Sequence, residues 1–171
     1  MYLNRKKNFL PALTIVSLAL FFLGATLLTV DTSAQKIKQL PPLYPGLEEK
    51  LVNMLRQLGA VPECAVVSFN HAAIHGLREV EPTLQLGILE GARPIHPARL
   101  LREASADVYS PHWGATDPQV VKEVHDAGGA VAVWPVDDEA GIAWCRYVQP
   151  DAIFSNRPKE IGAALRSWAA V

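Results

Sequence analysis

An α/β fold built on a parallel sheet is what three features of this 171-residue sequence predict. Short β-rich runs begin near residues 65, 84, 107, 130 and 152. Helical stretches alternate with them, giving β/α units of about 20–25 residues. The runs are apolar throughout, the mark of strands buried on both faces and covered by helices. Half of the residues are hydrophobic and the net charge is −1, which excludes a disordered chain.

The elements follow in order. Arg5, Lys6 and Lys7 precede an uncharged run from Phe9 to Val30. About 20 apolar residues suffice to span a bilayer as a helix. The basic cluster orients such a helix with its N-terminus in the cytoplasm. Residues 1–34 are therefore expected to be a basic stub and a single-pass anchor, with the domain outside the cytoplasm. The alternative is a cleaved signal ending at Thr32-Ser33-Ala34, which would release a secreted protein. Residues 35–46 are proline-rich and are expected to be a linker; the domain occupies 47–171.

Leu47 to Leu58 carries apolar residues at helical spacing, and Gly59 stops it. Ala65–Phe69 is a strand, and Asn70 caps a helix to Val80. Leu84–Leu89 is a strand, and His96-Pro97 opens a helix to Ala104. Asp107–Ser110 is a strand; Asp117-Pro118 caps a helix that stops at Gly128-Gly129. Ala130–Val136 is a strand, residues 138–148 are helical, Ala152–Ser155 is a strand, and Pro158 opens a last helix. Parallel strands of this kind build either an open doubly wound sheet or a (β/α)8 barrel. No glycine-rich phosphate loop opens any helix, so a dinucleotide fold lacks its signature.

Composition excludes other functions. With no basic excess the chain is not expected to bind nucleic acid. Cys64 and Cys145 form no disulfide framework and no zinc set, and both are expected to be small buried hydrophobes. His71 and His75 stand four apart, a spacing that can bind zinc, but Ala72 replaces the glutamate of the zincin pattern. His96 and His125 are expected to be surface or helix-packing residues. His112, beside Trp113 after a strand, is the best-placed ligand-binding histidine. Asp137-Asp138-Glu139 could attract a cation, but is more simply expected to be a helix cap with an acidic first turn.

Four segments carry a resemblance: Tyr44-Pro-Gly-Leu-Glu-Glu-Lys50, Val67-Ser-Phe-Asn-His71, Val131-Ala-Val-Trp-Pro-Val-Asp137 and Asp151-Ala-Ile-Phe-Ser-Asn-Arg-Pro158. In order and spacing they resemble the C-terminal part of the glycerophosphodiester phosphodiesterase family, over roughly residues 36–165. The resemblance implies a partial TIM barrel holding about strands 3–8 of the family's eight. It implies hydrolysis of a glycerophosphodiester to glycerol 3-phosphate and an alcohol. The family uses two histidines as acid and base, and a divalent cation (Mg or Ca) held by carboxylates.

This chain has no His-Arg pair and no early Glu-x-Asp, so no residue of it is expected to hold the family's cation. Gln35-Lys-Ile-Lys38 stands where the family's third strand has Ile-Glu-Ile-Lys, so the resemblance makes residues 35–46 either the linker or a remnant of that strand. Lys38 then matches the family lysine, the one catalytic candidate, and Lys36 replaces a metal-binding glutamate. Phe69, Trp134 and His112 are the implied substrate-binding residues, at strand C-terminal ends where barrel sites lie. The chain by itself is expected to be inactive, with a complementing chain or a second copy completing the barrel. A membrane-tethered binding module or a truncated remnant is the alternative.

Overall fold

A computed structural model describes residues 45–168 of the chain. The Phe9–Val30 run, the Ala34 cleavage site, Lys36, Lys38 and residues 35–44 lie outside the described residues. No helix among the described residues is long and apolar enough to cross a membrane.

The described domain runs α1 (Leu47–Gln57), β1 (Ala65–Ser68), α2 (His71–Val80), β2 (Gln85–Glu90), α3 (Pro97–Glu103), β3 (Val108–Pro111), α4 (Pro118–Asp126), β4 (Ala130–Val133), α5 (Glu139–Val148), β5 (Ala152–Ile153) and α6 (Pro158–Trp168). Two single 3₁₀ turns, Val61–Glu63 and Trp113–Ala115, were not expected from the sequence. Each expected strand is present: β1, β4 and β5 end earlier than expected, while β2 and β3 keep the expected length and are shifted one residue onward. The β4 ladder stops at Val133, with one further bridge from Trp134 to His112. Pro135 has no N–H with which to continue it.

All neighbouring strands pair in parallel, in the spatial order β1-β2-β3-β4-β5. A doubly wound sheet reverses its strand order; this one never does. Right-handed crossovers repeated in one direction place all the helices on one face. Such an order is consistent with the wall of a barrel rather than with a doubly wound sheet.

Register and alternation divide the sheet into two faces. Val66, Leu86, Ile88, Tyr109, Val131 and Val133 point one way and join the helices in a single buried core. Ile74 and Leu77 of α2, Leu101 of α3, Val120 and Val124 of α4 and Ile142 and Cys145 of α5 complete it. Both cysteines are free and buried, as expected. The opposite face carries Val67, Gly87, Leu89, Val108, Ser110 and Ala132, and corresponds to a barrel interior. Gly87 is required there. A Cβ on it would lie 2.8 Å from Val67 Cγ1 and 3.2 Å from the Val108 carbonyl oxygen.

Two aspartates tie the strand starts together in the same way. Asp107 donates its N–H to Leu86 O at 2.8 Å and accepts from Leu86 N at Oδ2, 2.9 Å. Asp151 repeats this on Val131, at 2.9 and 2.8 Å. Each carboxylate also meets a side chain of the preceding helical layer. Arg78 Nη2 lies 2.7 Å from Asp107 Oδ2, and His125 Nε2 lies 2.7 Å from Asp151 Oδ2.

Candidate functional site

The site is built at the C-terminal ends of the strands. Three loops there are closed by helix caps. Asn70 Oδ1 accepts from Ala73 N at 3.2 Å, Asp117 Oδ1 from Val120 N at 2.9 Å, and Asp138 Oδ1 from Gly141 N at 2.8 Å. Each cap satisfies an N–H that the first helical turn leaves unpaired. Capped helix starts fix the loops that precede them, and those loops carry the candidate residues.

Phe69 stands two residues beyond Val67, His112 two beyond Ser110, and Trp134 two beyond Ala132. A period of two puts all three on the interior face of the sheet. The structure brings them together. The Phe69 and Trp134 rings meet edge to face, with centroids 5.3 Å apart at 86°. His112 meets Trp134 at 5.5 Å and 89°, and stacks on Trp113 at 5.8 Å. Phe69 and Trp134 extend from β1 and β4, so their rings bridge the width of β2 and β3. Phe69 remains 57% exposed at the surface of this cluster.

Hydrogen bonding fixes the chemistry of these rings. Trp134 Nε1 donates to Ser110 O at 2.7 Å, so its polar group is spent inside the sheet. His112 Nδ1 accepts from Gly114 N at 3.1 Å. A backbone N–H only donates, so this nitrogen carries a lone pair and Nε2 carries the ring proton. His112 therefore offers one N–H at the site, and Phe69 and Trp134 offer π surface alone.

Sequence reasoning missed three neighbours. Phe154, just beyond β5, donates its N–H to Val133 O at 2.8 Å and accepts from Val136 N at 2.9 Å. Ser110 Oγ is buried with no hydrogen-bond partner. Asp137, expected within the helix cap, is instead the anchor between the β4 and β5 ends. It accepts from Ser155 Oγ at 2.9 Å, Asn156 N at 2.7 Å and Asn156 Nδ2 at 2.7 Å. The Asn156 side-chain and backbone donors, followed by Ser155 and Arg157, hold its carboxyl below the ordinary aspartate range. Only Asp138 is the cap. A signal existed in Ser155-Asn156, but its partner lies 19 positions away, beyond the reach of local pattern.

The histidine pair does not converge. His71 Nε2 lies 3.1 Å from Leu89 O, whereas His75 Nδ1 lies 3.4 Å from Ser105 Oγ. Among the described residues no group of three or more His, Cys, Asp or Glu side chains is placed to hold a metal ion. The described residues thus do not fit the divalent cation that the family resemblance implies.

Sequential parallel winding, with the candidate residues clustered at the strand C-terminal ends, defines the βα-barrel class of scaffolds. The family model for "Glycerophosphoryl diester phosphodiesterase family" matches residues 35–160, and the chain belongs to that family. A curated relative, the glycerophosphodiester phosphodiesterase of Caldanaerobacter subterraneus subsp. tengcongensis, is 24% identical over 119 residues. The match covers 70% of this chain and 49% of the relative. A glycerophosphodiester phosphodiesterase structure from Parabacteroides distasonis superposes with a TM-score of 0.64 at 22% identity, over 71% of this chain and 51% of that one. An Oleispira antarctica phosphodiesterase, solved in complex with the product sn-glycerol-3-phosphate, superposes with a TM-score of 0.60 at 22% identity. That match covers 70% and 50% of the two chains. The chain spans about half the length of the relatives it matches.

Proposed function

We propose that this domain supplies the binding side of a glycerophosphodiester phosphodiesterase. Its ligand is a small glycerophosphodiester, taken at the Phe69–His112–Trp134 cluster. The observation that carries the reading is the convergence of these three rings on the interior face at the strand C-terminal ends.

In the reaction of this class, a water oxygen bonds to phosphorus and the bond from phosphorus to the alcohol oxygen breaks. The water gives up a proton, the alcohol takes one, and glycerol 3-phosphate remains. Such a step needs a base, an acid and neutralisation of the phosphoryl charge. His112 offers an N–H to a phosphoryl or glycerol oxygen, which positions but does not hydrolyse. The Nε2 of His71, the other imidazole at this end, is engaged with Leu89 O. Lys38, by its match to the family lysine, is our candidate for a cationic contact to the phosphate. By this reading the chain binds, and turnover requires groups and a divalent cation brought by a complementing chain or a second copy. The Phe9–Val30 run would tether it to a membrane.

A second reading, a membrane-tethered module that binds without catalysing, is favoured by the lack of a cation-holding group among the described residues. One experiment separates the readings. The full chain, in detergent, is given glycerophosphocholine with Mg²⁺ or Ca²⁺, and both binding and glycerol 3-phosphate release are followed. Binding with release at background supports a non-catalytic chain. Chelator-sensitive release that the Trp134→Ala variant loses would overturn it. Absence of binding by folded protein would overturn the glycerophosphodiester reading itself.

A further inference from the structure

We infer that the strand C-terminal end of this domain rests on a lipid bilayer, with Ile95 and Phe69 dipping into the interface between head groups and acyl chains. The inference rests on the membrane tether proposed above. It adds the face by which the domain meets that membrane.

Among the described residues, Ile95 is the most exposed large apolar side chain, at 87%. It lies in the loop between β2 and α3. Phe69, also exposed, follows β1, the strand paired with β2. The two therefore project from neighbouring loops at one end of the sheet. A lone apolar side chain on a surface is ordinary. Two large ones on adjacent loops mark an end that takes apolar contact.

The Ile95 loop is also suited to leaving water. Pro94 has no N–H, and Ala92 donates its N–H to Glu90 Oε1 at 3.2 Å. Fewer backbone donors near Ile95 then lose a partner when the loop enters an apolar layer. The cations at this end are engaged within the protein. Arg93 pairs with Asp117, and Arg157 Nη1 donates to Asp137 O at 3.3 Å. That pattern favours zwitterionic lipid over an anionic partner.

The chain enters the domain from the same end. Arg56, late in α1, donates to Val80 O and to Glu81 at the close of α2. The helices thus run side by side in one direction, and the first turn of α1 lies toward the strand C-terminal ends. Residues 31–45 separate the Phe9–Val30 run from Gly46, the N-cap of α1. Fully extended they reach at most about 50 Å. A tether of this reach keeps the Ile95 end near the bilayer, where an apolar side chain gains by lying in the interface.

The test uses the full chain reconstituted in phosphatidylcholine vesicles. Cys64 and Cys145 are buried, so the folded wild type is expected to take no thiol label. Ile95→Cys, Leu58→Cys and Tyr147→Cys each add one exposed thiol for an environment-sensitive nitrobenzoxadiazole label. Leu58 ends α1 at the opposite end of the sheet, and Tyr147 lies on α5 in the helical layer, so both serve as controls. Circular dichroism checks the fold of each labelled protein.

The Ile95 label is expected to emit at shorter wavelength than either control. Bromination of the lipid acyl chains is expected to quench it and to spare the controls. Adding Phe69→Ser is expected to weaken that quenching; unchanged quenching would overturn the part assigned to Phe69. An Ile95 label as wet as the controls, on protein that floats with the vesicles, would overturn the inference and leave the tether standing. A short-wavelength label that brominated lipid does not quench would mean that protein covers Ile95, and would overturn it equally. Protein that does not float with vesicles would overturn the tether and this inference together.

Discussion

The indole N–H of Trp134 donates to the carbonyl oxygen of Ser110, 2.7 Å away on the neighbouring strand. This bond lies just beyond the last ladder pair of β3 and β4. It fixes the ring at the sheet end, where Phe69 and His112 reach it. Trp134→Phe should therefore fold normally and lose about 1 kcal/mol of stability, the net value of one buried hydrogen bond. Trp134→Ala should lose about 3 kcal/mol or more, since an aromatic volume disappears as well. Urea denaturation of the three proteins checks the order.

Gly87 sits where Val67 and Val108 close over it, with Val108 contributing backbone as well as side chain. Gly87→Ala should cost about 1–3 kcal/mol through overpacking of the interior face. A second change, Val67→Ala, should recover part of that loss in the double variant, because it removes the nearest of the three crowding atoms. Additive losses in a double-mutant cycle would show that the contact is not the cause.

The clasps at Asp107 and Asp151 are predicted to matter through the backbone amides they satisfy. Asp107→Ala leaves the Leu86 N–H without its carboxylate acceptor and should cost about 1–3 kcal/mol. The paired Arg78 contributes less, because Asp107 is nearly half exposed and the ion pair is screened by solvent. Salt titration checks this. Raising ionic strength should leave most of the effect of Asp107→Ala intact.

Asp137 predicts a pH response. Its folded-state pKa lies below the ordinary aspartate value, about 3.9 in an unfolded chain. A depressed carboxylate contributes stability that is fully present above the unfolded value. That contribution is lost as pH falls through the folded value. Wild-type stability should thus decline on acidification below the ordinary aspartate range. Asp137→Asn should show a flatter decline there, with little difference in slope between pH 6 and 8. Thermal unfolding across pH 2–8 reads both.

Much of this fold is visible in local sequence. Asn70, Asp117 and Asp138 cap as their positions predict, because a cap is a contact of three residues' reach. Gly128 adopts the left-handed φ of 84° that its place after α4 requires. The interior placement of Phe69, His112 and Trp134 follows from counting by twos along three strands. Their meeting in one cluster does not follow from any strand alone; it needs strand order and register. The contact made by Asp137 is hidden from local sequence for the same reason. Next to a capping aspartate it resembles part of the cap, and only the return of the chain at Ser155 and Asn156 recruits it. Tyr109 is a third case. A tyrosine in an apolar strand reads as an ordinary core residue. The structure buries it fully with no partner for its hydroxyl, and burial raises its pKa.

The most direct measurement follows the indole N–H signals of the full chain by ¹⁵N NMR during titration with glycerophosphocholine. Trp134 lies in the cluster, whereas Trp144 donates its N–H to Thr116 O at 2.9 Å from α5, and serves as an internal control. The expected result is a saturable shift at Trp134, together with the His112 ring signals, and none at Trp144. Shifts confined to Trp144, or no shift from folded protein at millimolar ligand, would contradict a ligand site at the Phe69–His112–Trp134 cluster.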